Sequence, residues 1–188
     1  ICGGVNRMLV EFVADPAPYA AALAALESGE RAVFEKRITR GEGGRLELRV
    51  SLLPEGEGLP EEAARALAGR KLRFAEGEGL AYDPIFPEEK LLVVGAGHVG
   101  RALALAAQPL GFQVSVIDDR AELLGEDRLG KGVRRICGGY EEAIAAFPFD
   151  KATYAAVLTR GHLYDLESIR AVLKRKYRYA GLIGSRRK

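Results

Sequence analysis

Residues Leu91 to Arg120 read LLVVGAGHVGRALALAAQPLGFQVSVIDDR, and this stretch decides the fold. The apolar run Leu91–Val94 breaks at Gly95-Ala96-Gly97-His98-Val99-Gly100. A helical pattern follows over Val99–Gln108, and a second apolar run, Val114–Ile117, ends on Asp118. This is the strand, glycine turn, helix, strand and acid of a dinucleotide-binding unit. Gly95 permits the tight turn, Gly97 lets backbone approach a pyrophosphate, and Gly100 lets helix pack on strand. Asp118, 18 residues beyond Gly100, is placed to accept hydrogen bonds from a ribose diol. If the unit served a dehydrogenase, Asp118 would favour NAD over NADP by repelling a 2′-phosphate, and Arg120 blurs that choice.

Outward from this unit, strands and helices keep alternating. A short helix is predicted at Ala121–Leu124, a strand at Val133–Ile136 and a helix at Tyr140–Phe147. A strand at Tyr154–Leu158, a helix at Leu166–Lys176 and a strand at Tyr179–Ile183 complete the half. Alternation of this kind means a parallel sheet with right-handed crossovers. The five strands, numbered within this half, are expected in the order 3-2-1-4-5. The switch point then lies between the strand before the glycine turn and the strand ending at Leu158.

Both histidines of the chain follow those two strands: His98 directly after the first, His162 four residues after Leu158. They are expected at one crevice, where ligands bind in such sheets. Thr159, Arg160 and Gly161 add polar groups there, and Asp165 reads as the N-cap of the following helix. The last strand exits into Gly184-Ser185-Arg186-Arg187-Lys188, bringing further basic groups to the same edge. Lys174, Arg175, Lys176 and Arg178 read more simply as residues suited to a helix C-terminus.

The chain divides near residue 88, into a small α+β domain at 1–88 and a Rossmann-like domain at 89–188. In the first part, Val5–Val13 alternates like a strand, and Asp15-Pro16 starts a helix over Ala17–Leu26. Strands at Arg31–Thr39 and Leu46–Leu52 flank the turn Gly41–Gly44, as in a hairpin. Leu59–Leu67 reads as a short helix. Glu76–Glu89, with Gly77, Gly79, Pro84 and Pro87, reads as the interdomain connection. The chain opens on ICGG without a methionine, and the first domain is expected to be incomplete at its start.

At 188 residues with 48% hydrophobic side chains, the chain can bury one sizeable core or two small ones. No apolar stretch is long enough to span a bilayer. Two cysteines make no disulfide framework, so a reducing, cytoplasmic setting is expected. Residues 1–88 carry 11 basic and 15 acidic side chains, net −4; residues 89–188 carry 17 and 11, net +6. The basic half holds the glycine turn, as a phosphate-bearing ligand requires. The sparse aromatics are not interleaved with basic residues, which argues against nucleic acid.

GAGHVGRALA, VIDDR, LTRGHLYDL and YAGLIGSRRK, in this order, resemble the C-terminal domain of the XdhC/CoxI family of xanthine dehydrogenase accessory factors. Cys2-Gly3-Gly4, followed by a strand containing Glu11, is similar to that family's N-terminal CGG segment. The resemblance implies a maturation factor more than a metabolic enzyme. Such a factor binds the molybdenum cofactor, a molybdopterin, protects it during sulfuration and delivers it to a xanthine dehydrogenase-like molybdenum hydroxylase. A cysteine desulfurase partner and a homodimer are both compatible with that role. Carried onto this chain, the cofactor contacts are Gly95, Gly97, His98, Gly100, Asp118, Arg120, Arg160, His162, Gly184, Ser185 and Arg186. Cys2 is the candidate thiolate for molybdenum or sulfur, whereas Cys137, in a second ICGG string, reads as coincidence. Two other classes stay open: an NAD-dependent oxidoreductase with His162 as acid or base, and a nucleotide-sensing regulatory module.

Overall fold

The computed structural model describes residues 12–75, 77–160 and 162–184, apart from the side chains of residues 42, 162 and 163. The chain forms two compact units. One includes Arg31–Ile85; the other takes Glu27–Glu30 and the chain from Phe86 onward.

In the first unit α1 (Ala17–Glu27) is started by Asp15, whose Oδ1 accepts the Ala17 N–H at 2.9 Å. Strands β1 (Ala32–Arg40) and β2 (Leu46–Pro54) form an antiparallel hairpin across Gly41–Gly44. Helix α2 (Glu61–Gly69) buries Ala63, Ala66 and Leu67. Strands β3 (Arg73–Ala75) and β4 (Leu80–Ile85) complete a four-stranded sheet of order β2-β1-β4-β3.

Here the structure corrects the reading of Glu76–Glu89 as a connection. Leu80–Ile85 is an inner strand, with Leu80, Ala81 and Tyr82 buried. Gly77 and Gly79 mark the β3–β4 turn, not a linker. Pro84 is tolerated because it lies beyond the last β3–β4 pair, Arg73 with Tyr82, where its missing N–H costs that ladder nothing. Phe12 and Val13 are not in a strand, and the rest of the expected Val5–Val13 strand lies outside the described residues.

The second unit holds β5 (Lys90–Val94), α3 (His98–Ala107), β6 (Gln113–Asp118), α4 (Glu126–Leu129) and β7 (Arg134–Cys137). It continues with α5 (Tyr140–Ala146), β8 (Thr153–Val157), α6 (His162–Leu173) and β9 (Tyr179–Leu182). All its strand pairs are parallel, and the order is β7-β6-β5-β8-β9. In these chain-long labels the order is not written 3-2-1-4-5, because four strands of the first unit come earlier. The strand before the glycine turn, β5, lies between β6 and β8.

Strand alternation splits the apolar runs between two faces, as a sheet covered on both sides requires. Leu91, Val93, Val114 and Val116 pack with Ala104 and Ala107 of α3 and Leu129 of α4. Leu92, Val94, Ile117, Ala155 and Val157 pack with Ile144 of α5 and Val172 of α6. Helices α3 and α6 therefore leave adjacent strands onto opposite faces, which opens a crevice at the carboxyl ends of β5 and β8.

The last helix differs from expectation at both ends. It begins at His162 rather than Leu166, so Asp165 lies inside its first turn and is not its N-cap. It ends at Leu173, which leaves Lys174, Arg175 and Lys176 beyond it.

Leu92 is fully buried, whereas Leu110 is 75% exposed. Leu92→Ala should cost about 3 kcal/mol through lost burial and an unfilled cavity. Leu110→Ala should cost less than about 0.5 kcal/mol. Denaturant unfolding of the two variants checks the contrast.

Candidate functional site

The three turn glycines have different reasons to be glycine. Gly95 has φ +109°, and a Cβ there would lie 2.6 Å from the Leu158 carbonyl oxygen at the exit of β8. Its N–H donates to Ile117 O at 2.8 Å, continuing the ladder towards β6. A Cβ on Gly100 would collide with the Gly95 carbonyl oxygen and crowd Val93 Cγ1 at 3.2 Å. Both are fixed by the fold itself. Gly97 has φ −63° and ψ −172°, an extended conformation open to any residue. A Cβ there would meet no heavy atom within 4 Å. Among the described residues nothing requires this glycine, and none of them fills the space beside it.

Gly97 is the N-cap position of α3, and among the described residues no side chain caps that helix. The first-turn N–H groups have no partner within the helix, and the macrodipole favours negative charge beside them. A glycine turn ending on an uncapped helix is an anion site in chemical terms. His98, the first residue of α3, is exposed at this place.

Asp118 does not fit its expected role as ribose acceptor. Its side chain is fully buried and receives four hydrogen bonds from within the unit. Oδ1 takes Arg120 N at 3.0 Å and Arg120 Nε at 2.8 Å. Oδ2 takes Ala96 N at 2.7 Å and Arg120 Nη2 at 3.0 Å. The acceptor positions of a carboxylate are about four, so none remains for a diol. Burial opposes ionisation of Asp118, but the Arg120 hydrogen bond and those of the Ala96 and Arg120 amides outweigh it. The carboxyl is held below its ordinary range. In turn the Asp118 hydrogen bond raises the Arg120 guanidinium above its usual value.

The next residue turns to the other face, as strand alternation dictates. Asp119 Oδ2 accepts Arg160 Nη2 at 2.8 Å, and Oδ1 accepts the Tyr140 hydroxyl at 3.2 Å. The Arg160 guanidinium also lies 5.6 Å from the centroid of the Tyr164 ring, which is 5.4 Å from that of Tyr140. Burial, then the charges of Asp118 and Asp119, push the Tyr140 phenol up to about 12. Asp119, Tyr140 and Tyr164 line a cavity of about 330 Å³ with Glu141, Glu142 and Glu167. Its acceptors and aromatic faces suit a planar group that carries N–H donors.

Thr159, at the exit of β8, donates its hydroxyl to Asp165 Oδ1 at 2.6 Å, and both side chains are buried. That bond fixes the start of α6 and with it the backbone of His162. His98 and His162 thus follow adjacent strands at one edge of the sheet, and the side chain of His162 lies outside the described residues. Gly184 is exposed just after β9. Ser185, Arg186 and Cys2 lie outside the described residues. Cys137 is an exposed free thiol at the end of β7. Among the described residues, no group of three or more His, Cys, Asp or Glu side chains is arranged to hold a metal.

Sequence reasoning missed Asp119, Tyr140 and Tyr164. The tandem acids of VIDDR carried the signal, since consecutive strand residues face opposite sides.

The Asp118 pairing has a pH signature. Its folded pKa is depressed, so the stabilisation is present above the unfolded carboxylate value, about 4, and is lost as pH falls through the folded value. Asp118→Asn should cost about 2–3 kcal/mol at neutral pH and flatten this acid limb. Unfolding free energy measured from pH 3 to 7 for both proteins tests it.

Residues 91–188 match the XdhC Rossmann domain. The chain is 28% identical over 100 residues to YqeB, an uncharacterised protein of Escherichia coli (strain K12), which covers 53% of this chain and 18% of that protein. In three dimensions it resembles the crystal structure of a xanthine dehydrogenase from Bacillus halodurans, with TM-score 0.63 and 20% identity. That likeness covers 87% of this chain and 51% of the other, and at this identity it speaks for the fold alone. The match over more than half its length places the chain in the XdhC family.

Proposed function

We propose that this chain is an accessory factor that binds the molybdenum cofactor and assists its sulfuration and insertion into a xanthine dehydrogenase-type hydroxylase. Family membership supports the maturation role. The observation that carries the binding part is Gly97: a glycine that no described residue requires, at the start of a helix that no described side chain caps. A phosphate fits there, because backbone N–H groups and the helix dipole both favour it. The cavity at Asp119, Tyr140 and Tyr164 offers carboxylate acceptors and ring faces for a pterin edge. When bound, the cofactor supplies the molybdenum centre that the hydroxylase uses; this chain's residues hold and orient it.

The NAD-dependent oxidoreductase reading loses its main support at Asp118, since a ribose diol would have to displace bonds already made to Ala96 and Arg120. No hydride transfer is expected with NAD or NADP across alcohol, aldehyde and hydroxy-acid substrates. Turnover of any such substrate that depends on His162 would return the reading to the oxidoreductase. Membrane association through a helix is not supported, because no helix among the described residues is long and apolar enough to cross a bilayer.

Gly97→Asp separates ligand from fold. The backbone at Gly97 is already in the extended region an N-cap needs, and a carboxylate there would cap α3 from within. The variant should gain about 0.5–1 kcal/mol of stability while phosphate binding falls by at least about tenfold. Thermal unfolding and calorimetric titration with inorganic phosphate read the two effects. A variant that binds phosphate as well as the parent removes the turn from the mechanism.

A further inference from the structure

We propose that Arg120, not Asp118, is the side chain that meets the ligand at the exit of β6, and that Asp118 is the buried positioning residue that aims it. The site then reads an anion and is indifferent to a ribose diol. This rests on the phosphate reading above and narrows its ligand to a phosphate ester whose sugar hydroxyls, if any, are not recognised.

Access and valence carry the argument. The Asp118 side chain has no exposed surface, whereas that of Arg120 is 28% exposed. Both Asp118 oxygens are spent on Ala96 and Arg120. Ala96 N and Arg120 Nη2 donate to the same oxygen, Oδ2, so the guanidinium stands directly against the glycine turn. The next residue of that turn is Gly97, open on its Cβ side and uncapped. A guanidinium gripped through Nε and Nη2 still has N–H donors on Nη1, and the grip removes the entropy cost of aiming them. Asp119 Oδ1 lies 3.6 Å from Arg120 Nε and opposes a further anion. Its charge is offset by Arg160, bound to Asp119 Oδ2 at 2.8 Å. Two acids and two arginines therefore cancel locally, and the helix terminus tips the site towards anions.

Reading a diol instead would require the carboxylate to leave a charged partner while buried, which costs more than two neutral hydroxyl contacts return. A dinucleotide site of the usual kind would leave that acid free.

The test uses ribose 5-phosphate and 2-deoxyribose 5-phosphate as probes, titrated calorimetrically into the full chain. The two esters should bind within about twofold of each other, because no acceptor reads the 2-hydroxyl. Arg120→Met should weaken both by about tenfold, as expected for a lost charge-assisted hydrogen bond. Asp118→Asn should weaken both similarly, yet add less than about twofold in the Arg120→Met background. A merely structural loss at Asp118 would not vanish with Arg120 gone. Should Asp118→Asn fail to fold, Arg120→Lys carries the test: it keeps the charge, loses the fork, and should bind both esters about threefold less tightly. Binding of the ribose ester at least about tenfold tighter than its deoxy form, a preference removed by Asp118→Asn, overturns the proposal. Unchanged affinities in Arg120→Met overturn it too. If the folded parent binds neither ester nor inorganic phosphate, the phosphate reading itself fails and this inference falls with it.

Discussion

The buried carboxylate of Asp118 ties together the glycine turn, the end of β6 and the Arg120 guanidinium. A charge this deep is tolerated only because each oxygen takes two donors, two of the four from the Arg120 guanidinium. The consequence is geometric. The Ala96 amide is pinned to β6, so the turn that follows β5 cannot drift, and the helix that begins at His98 points its free N–H groups at a fixed place. The residue that looked like a ligand contact is a strut, and the flexibility the site lacks at Asp118 it also lacks at Gly97.

Around that strut, two close approaches set the crevice. Gly95 lies against the backbone of Leu158 and Thr159, bringing the exits of β5 and β8 together. Gly100 lies against the carbonyl of Gly95, seating α3 on its own turn. Beyond them the crossing of α3 and α6 to opposite faces follows from strand order, since β8 lies on the side of β5 away from β6. One face carries an uncapped helix start with open space beside it. The other carries a carboxylate and two phenols beside Arg160. A ligand with a phosphate at one end and an aromatic N–H donor at the other would find chemistry suited to each end.

The Rossmann half was legible because its signals are local and redundant. Leu91–Val94 is a continuous apolar run and Val114–Ile117 is broken only by the buried Ser115, as expected of strands buried on both faces. Gly100 is dictated by a contact within the motif itself, against the Gly95 carbonyl, whereas Gly95 is set by the backbone of Leu158 and Thr159. The first domain was harder. Leu80–Ile85 hid its strand behind Gly77, Gly79 and Pro84, residues that mark a linker by composition but here mark a hairpin turn and the end of a short ladder. The start of α6 was read late because Asp165 resembles a cap. Its buried partner Thr159 is a tertiary fact that no local pattern announces. The same limit applied to Asp118: spacing identified the acid, but not that Arg120, two residues on, would consume its acceptors. Asp119 could have been found from alternation alone; its pairing with Arg160 could not, because only the strand order sets the exits of β6 and β8 on either side of β5.

Cofactor content tests most directly whether, as proposed, the site holds a phosphate-bearing pterin in transit to a hydroxylase. The full chain, isolated from cells that synthesise the molybdenum cofactor, should carry molybdenum and an oxidisable fluorescent pterin in comparable amounts. Both should be lost in Gly97→Asp while the fold persists. Protein isolated in the same way with bound nicotinamide dinucleotide and no pterin would contradict the account.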